Sequence, residues 1–451
     1  MSSAIEQFAS SISLKTFTKA EDLKKRIWFT LAALVIYRIG TYIPLPGINP
    51  EVISEFIQRN AGGFFGMLDM FSGGAIGRMT IFSLMIMPYI SSSIIIQLLT
   101  SVSPQLEALK KEGESGRRKI NQYTRYGTVF LASIQAYGIA VGLEKMTGHT
   151  GGSAVLDPGM FFRLTTMITL TGGTLFIMWL GEQITSRGIG NGISLLIYAG
   201  IVANLPPSVF RTIELGRTGA LSLLVILGIL FMVAIVIGYV VFVERAQRRI
   251  LIQYPKRQVA PDRPATAQTT HLPLKLNSAG VIPPIFASSL LLFPATIAGF
   301  SSGGAPDTWL GMIAMYLNHG TPTYIILYVF MIIFFAFFYT ALVFNPAETA
   351  ENLRKMGAYV PGVRPGPSTA NYIDYILTRL TAVGAIYLAS VCILPEFILS
   401  RVGSLPFYLG GTSILIVVSV TIDTINQVQS HLLAHQYEGL IGRSSRRKGK
   451  R

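Results

Sequence analysis

The chain carries one cysteine, Cys392, in 451 residues, which excludes an intrachain disulfide. Charge is scarce as well: 13% of residues are Asp, Glu, Lys or Arg, where soluble domains run at about 25%. Acids are the scarcer sign, 22 against 37 basic residues, for a formal net charge of +15. There is no Walker-type phosphate loop, so no nucleotide motor is built in. The glycines at 188, 190 and 192 have the wrong spacing for a dinucleotide fingerprint, and no strand precedes them. His431 and His435 stand at i, i+4, but without a third ligand they read as a solvated helix and not as a metal site. Paired acids, a Ser–His pair and metal ligands are all missing from the apolar runs, which argues against an intramembrane enzyme. We expect no catalytic residue, no metal and no cofactor. The first apolar run is not followed by a small-residue cleavage pattern, so it reads as a span that stays in place.

What the chain has in quantity is apolar sequence, 51% of its residues. Runs of about 17–25 apolar residues are long enough to cross a bilayer as helices. About ten occur, at 27–43, 79–100, 126–143, 161–180, 189–205, 221–243, 279–300, 324–344, 377–398 and 406–425. The expected fold class is therefore an all-α polytopic membrane protein. Pro88 falls inside the second run, and Pro283, Pro284 and Pro294 inside the seventh. These are read as kinks, which suit a protein that moves or lines a cavity.

Lysine and arginine set the orientation. They crowd the segment 1–26, the loop after run two, the loops 244–278 and 345–374, and the tail 429–451. With alternating spans all of these lie on one side. The positive-inside rule makes that side cytoplasmic, with both termini on it. A division into 27–205 and 206–428, five spans each, suits an inverted pair of halves. The two long loops read as docking surfaces for a large soluble partner. The second displays Arg364 on a proline-braced turn, Val360-Pro-Gly-Val-Arg-Pro-Gly366.

The stretch 71–100 organises the rest. Gly73, Gly74 and Gly77, with Arg78 beside them, make a poor helix, because each glycine costs about 0.8–1.0 kcal/mol against alanine. A proper span is expected from Met79 onward. Non-helical backbone at membrane depth survives only where protein buries it or where it lines a water-filled cavity. The stretch is read as the wall and stopper of a pore. Ile86 and Ile90 share a helix face, as do Ile189 and Ile193. An apolar constriction can gate by dewetting, although from spacing alone these isoleucines also read as plain core or lipid-facing residues. Arg38, near the outer end of run one, is expected to snorkel or to pair with an acid. Gln97 is read as a hydrogen bond across helices, over a gate or otherwise.

Longer motifs carry more information: Arg38-Ile-Gly, Ile43-Pro-Leu-Pro-Gly47, Phe71-Ser-Gly-Gly74, Met87-Pro-Tyr-Ile90, Lys111-Glu-Gly-Glu-Ser-Gly-Arg-Arg-Lys119, Trp179-Leu-Gly-Glu-Gln183, Arg187-Gly-Ile-Gly-Asn-Gly-Ile193, His271-Leu-Pro-Leu-Lys275 and Phe344-Asn-Pro346. On these, in order and over nearly its whole length, the chain resembles the SecY/Sec61-alpha family of protein-conducting channels. The resemblance implies ten helices in two pseudo-symmetric five-helix halves around a central hourglass pore. It implies a lateral gate of spans two and three against seven and eight. It implies a pore ring at Ile86, Ile90, Ile189, Ile193, Ile285 and Ile416, and a plug at about 64–77 that includes Phe71, Ser72, Gly73, Gly74, Gly77 and neighbouring Arg78. Partner docking falls on Arg257, Arg263 and Arg364, although Asp262 before Arg263 departs from the adjacent basic residues common at that loop tip. The implied partners are SecE, SecG, the SecA motor, the ribosome, signal sequences, nascent chains and lipid, in a bacterial cytoplasmic membrane. The competing reading is a secondary transporter of a small solute. It explains about ten spans and broken helices, but it calls for ionisable groups at mid-depth, where Asp423 is an exception to a general scarcity of acids.

Overall fold

Apolar runs in lipid have only their own backbone to hydrogen-bond with, so they fold as helices. The computed structural model describes residues 21–53, 69, 72–146, 153–219, 222–254, 269–301, 321–402 and 410–448, with backbone alone at 223, 269, 292–301, 396–402 and 434–448. The helices are α1 (Glu21–Gly40), α2 (Met87–Val102), α3 (Pro104–Lys111), α4 (Glu114–Lys145), α5 (Met160–Arg187), α6 (Gly192–Arg217) and α7 (Leu223–Arg245). After two strands, β1 (Gln247–Gln253) and β2 (Thr269–Lys275), come α8 (Ile282–Ser301), α9 (Pro322–Val343), α10 (Pro346–Lys355), α11 (Pro367–Val402) and α12 (Gly411–Lys448). Apart from the short α3 and α10, these are the ten expected spans. Among the described residues, seven helical stretches are long and apolar enough to cross a membrane, and α2 and part of α8 are shorter apolar helices. The fold is that of a multi-pass membrane protein.

Several boundaries differ from the sequence expectation. The second span does not begin at Met79. Met79 and Met85 have φ of 43° and 50°, a left-handed backbone that cannot continue a helix, and α2 starts at Met87. Pro88 therefore sits in the first turn of α2, where its missing N–H costs nothing, and does not kink the helix. Pro283 and Pro284 likewise open α8, while Pro294 lies within its helical backbone. The fifth span does not stop at Leu205: α6 runs on through Pro206 and Pro207 to Arg217.

Helix α7 shows how the outside is made. Val236, Val240 and Val243 are buried on one face, while Leu227, Phe231, Ile235 and Phe242 are exposed. An apolar surface of that kind suits lipid and not water. Inside, small residues let backbones meet. A Cβ on Gly192 would stand 2.0 Å from the carbonyl oxygen of Gly181, so α6 and α5 cross where both have glycine. Two Arg–Glu forks tie α4 to α5. Arg125 donates to Glu182 at 3.0 and 2.7 Å, and Arg163 donates from Nη2 to Glu144 at 2.7 Å. Bidentate pairs of this kind fix geometry as well as charge.

The two long loops, read from sequence as docking surfaces, fold into one body on the basic side. Strands β1 and β2 pair antiparallel, with Gln247 opposite Lys275 and Gln253 opposite Thr269. Tyr359 from the second loop bonds Gln253 of β1 in both directions, at 2.9 and 3.0 Å. Ile252 packs with Leu353, Ala358 and Ile373, and Ile250 with Leu274 and Val360. The apolar residues alternate at strand period over only a few positions, too short a pattern to stand out from flanking charge.

Candidate functional site

Between α1 and α2 the chain makes a closed turn. Ser72 Oγ donates to the Asp69 carbonyl at 2.9 Å and accepts from the Ala75 and Ile76 N–H groups at 3.1 Å each. Asp69 Oδ1 accepts from Gly77 N–H at 2.5 Å, and its carbonyl accepts from Gly74 N–H at 2.9 Å. Gly73 and Gly74 have φ of +66° and +84°, which side chains resist. The turn is thus satisfied by its own atoms, as buried backbone requires. Burial pushes the Asp69 carboxyl up from its ordinary range, against the pull of the Gly77 N–H and of Arg78.

Neighbouring helices hold this turn. Arg38 of α1 donates from Nη1 to the Gly73 carbonyl at 2.9 Å, and Asn204 of α6 donates to the Asp69 carbonyl at 3.3 Å. A Cβ on Gly73 would meet the Gly200 Cα at 3.0 Å, so the turn lies directly on α6. Arg78 donates to the Thr41 carbonyl at 3.3 Å, and its guanidinium sits 4.0 Å from the Tyr42 ring centre. Arg38 was expected to snorkel or to pair with an acid; its guanidinium binds a backbone carbonyl of this turn. Phe71 lies outside the described residues, while Ser72, Gly73, Gly74, Gly77 and Arg78 all belong to this turn and its exit.

From the turn the backbone runs through buried Met79, Phe82 and Met85 to Ile86. There it meets a small cavity of about 30 Å³, lined by Met85, Ile86, Met87, Ile90, Ile197, Ile285, Ser288, Ser289 and Ile416. These come from α2 and the turn before it, α6, α8 and α12, and so from both ends of the chain. A single water needs roughly 10–15 Å³ of such volume, and also polar partners. This space holds a water or two at most and gives them an almost wholly apolar wall. An extended peptide, with strand spacing near 4.8 Å and sheet spacing near 10 Å, does not fit. The side chains around this cavity leave no passage for a chain.

Four of the six isoleucines singled out in the sequence, Ile86, Ile90, Ile285 and Ile416, therefore meet at one place. The other two do not line it. Ile193 packs toward α5, its Cγ1 3.3 Å from where a Gly181 Cβ would stand. Ile189 sits in a separate cluster with Leu23, Ile27, Val428 and Leu432, on the basic side. Ile197, one turn beyond Ile193, supplies the α6 wall of the cavity. It continues the same i, i+4 row, which was the available signal. The difference is one of position along the axis: Ile197 stands one turn further into α6 than Ile193, and Ile189 precedes the helix in the turn at 188–191.

Helix α8 packs against α2 and α4, closing the contact where a gate was expected. Gln97 does not bridge it; its Nε2 donates to Ser93 Oγ within α2 at 3.1 Å. On the basic side Lys110 of α3 donates to the Leu342 carbonyl of α9 at 3.4 Å. Arg364 is exposed on its turn, whose glycines Gly362 and Gly366 take φ of +84° and +104°. Thr369 Oγ1 donates to the Arg364 carbonyl at 2.8 Å and anchors that turn to α11. Arg257 and Arg263, with Asp262, lie outside the described residues. Among the described residues there is no cluster of three side chains able to hold a metal.

The comparisons with known proteins agree with this geometry. The family model described as SecY matches residues 80–425. The chain is 55% identical over 424 residues to the protein translocase subunit SecY of Escherichia coli K12, covering 94% of this chain and 95% of that one. Among solved structures it is similar to a SecY whose plug domain is described as stabilising the closed state of the translocation channel and maintaining a membrane seal. That similarity has a TM-score of 0.61 at 20% identity, over 91% and 92% of the two chains. It is also similar to Sec61 in the canine ribosome–channel complex from the endoplasmic reticulum, with a TM-score of 0.63 at 18% identity and the same coverage. With a family model matched over three quarters of its length and a relative 55% identical over 94% of it, the chain belongs to the SecY family.

Proposed function

We propose that this chain is a protein-conducting channel that passes unfolded secretory polypeptides across the cytoplasmic membrane and releases apolar segments sideways into lipid. One observation carries the reading: isoleucines from four separated elements converge on a closed waist that has no charged lining residue. Aliphatic side chains can part around a moving chain and reclose without leaving unpaired polar atoms. A solute carrier would need ionisable groups there. The turn at 69–78 is the plug, seated on α6 and latched by Arg38. The channel does no bond chemistry of its own, so the driving force comes from outside.

The basic side is the cytoplasmic side, with both termini on it. The body built from the hairpin and the second loop is the docking platform, with exposed Arg364 at its surface; Arg257 and Arg263 are assigned to docking from the sequence alone. A relative of this fold is known in a ribosome complex, which supports the ribosome as a partner here. The SecA motor would use the same platform, and SecE and SecG would cover the apolar outer faces. Signal sequences and nascent chains enter between α2 and α8, where lipid can reach them.

The test is crosslinking of an arrested secretory chain to single cysteines in the full-length protein in membranes. We expect adducts at 86, 90, 285 and 416, and weaker ones at 193. A chain that crosslinks at none of the four sinks the proposal.

A further inference from the structure

The loop that opens α6 has a role beyond the waist. Its backbone groups are held from three sides. The Gly188 carbonyl accepts from Arg26 Nη1 at 3.4 Å, and Ile189 N–H donates to Thr30 Oγ1 at 3.1 Å, both on α1. Gly192 N–H donates to Thr185 Oγ1 of α5 at 2.9 Å. Asn191 caps α6 by accepting from Ile193 and Ser194. All these partners belong to the first five spans. Gly190 N–H is different: it donates to Gln427 Oε1 of α12 at 2.7 Å.

Four further facts make this a junction between halves. Gly190 has φ of +89°, and a Cβ there would stand 3.4 Å from Thr424 Oγ1 of α12, so the two backbones come close. Ile189 packs on Leu23 of α1 and on Leu432 of α12. Gln427 and Ile416 are eleven residues apart on α12, about three full turns, and so share a face of that helix. One turn before Gln427, Asp423 lies 3.8 Å from Lys275 at the foot of the hairpin. Any motion that carries Ile416 away from the N-terminal half pulls on Gln427.

We infer that the 188–192 turn is a clasp across the basic mouth of the channel, and that Gln427 is the positioning residue that closes it. This rests on the proposal that the halves part to admit a chain. Gln427 touches no part of the waist; it acts by setting how often α12 leaves α6. Its side chain is exposed, so its replacement leaves the core intact.

The experiment uses the full channel in planar bilayers, with ion conductance read in the absence of cargo. Gln427→Met keeps the length and removes the acceptor; Gln427→Glu keeps an acceptor oxygen. A net hydrogen bond of ordinary strength corresponds to a roughly two- to tenfold change in an equilibrium. We expect Gln427→Met to open that much more often, and Gln427→Glu to stay near the parent. Ile189→Ala, which trims the apolar part of the clasp, should shift opening in the same direction. Unchanged opening in Gln427→Met, or equal opening in Met and Glu variants, overturns the clasp. Crosslinking of an arrested chain at positions 86 and 416 is run on the same preparations. If the parent crosslinks there while Gln427→Met opens like the parent, the clasp is wrong and the pore stands. If the parent does not crosslink at all, the pore reading fails and the clasp goes with it.

Discussion

Arg38 donates from Nη1 to the carbonyl oxygen of Gly73 at 2.9 Å, joining the C-terminal end of α1 to the turn before α2. The pair lies 35 positions apart in the chain. A cation on a rigid helix thus holds a backbone atom of the turn proposed as the plug. The donor side chain is part-buried, and the guanidinium also lies 5.5 Å from the Tyr42 ring centre.

Replacing Arg38 with methionine removes that donor while keeping an apolar stem. Hydrogen bonds to charged groups are worth about 1.5–3 kcal/mol, less where solvent screens them. We expect the empty channel to open about five- to tenfold more often in bilayer recordings. Conductance equal to the parent would show that the latch does not hold the plug.

Asp69 supports the plug from within. Asp69→Ala leaves the Gly77 N–H without its acceptor, at a cost of about 1–3 kcal/mol to the closed turn. Asp69→Asn keeps an acceptor oxygen and should be milder. The measurement is alkylation of a reporter cysteine at buried Ile76 in intact membranes, with Cys392 replaced. Equal labelling of all three proteins contradicts this account.

At the waist, Ile86→Asn and Ile416→Asn place an amide in an apolar cavity with no partner. We expect ion leak through the resting channel and export of proteins with weakened signal sequences. Ile197→Asn should act the same way, since Ile197 lines the cavity. Ile193→Asn should act more weakly, because Ile193 faces α5. If Ile193→Asn leaks most, the waist is assembled differently from this description.

Arg364 is exposed on a braced turn, so reversing its charge should leave folding intact. Arg364→Glu is expected to slow motor-driven export at least tenfold, with normal insertion and abundance of the channel. Export at the parent rate would remove Arg364 from the docking surface.

Much of the architecture could be read directly. Hydrophobic runs marked ten spans because hydropathy is a local property of each segment. The weak helix at Gly73, Gly74 and Gly77 was also legible, since glycine disfavours helix and Gly73 and Gly74 take left-handed torsions. The start of α2 was not legible. Met79 and Met85 hold positive φ only because the plug turn and its neighbours impose it, and no propensity marks methionine for that role. The folded body on the basic side was missed for a related reason. Its small cores form between two loops some 100 residues apart, and neither loop has an apolar run of its own.

The amino-acid sequence by itself determined the number of spans, the side on which positive charge gathers, and the family. Tertiary structure alone decided which isoleucines meet. The i, i+4 spacing puts Ile193 and Ile197 in one row, but which member reaches the cavity depends on how far along its axis α6 meets the other elements, and that is Ile197. Ile189 precedes the helix, in a turn whose backbone bonds Thr30 and Gln427, and packs on the basic side.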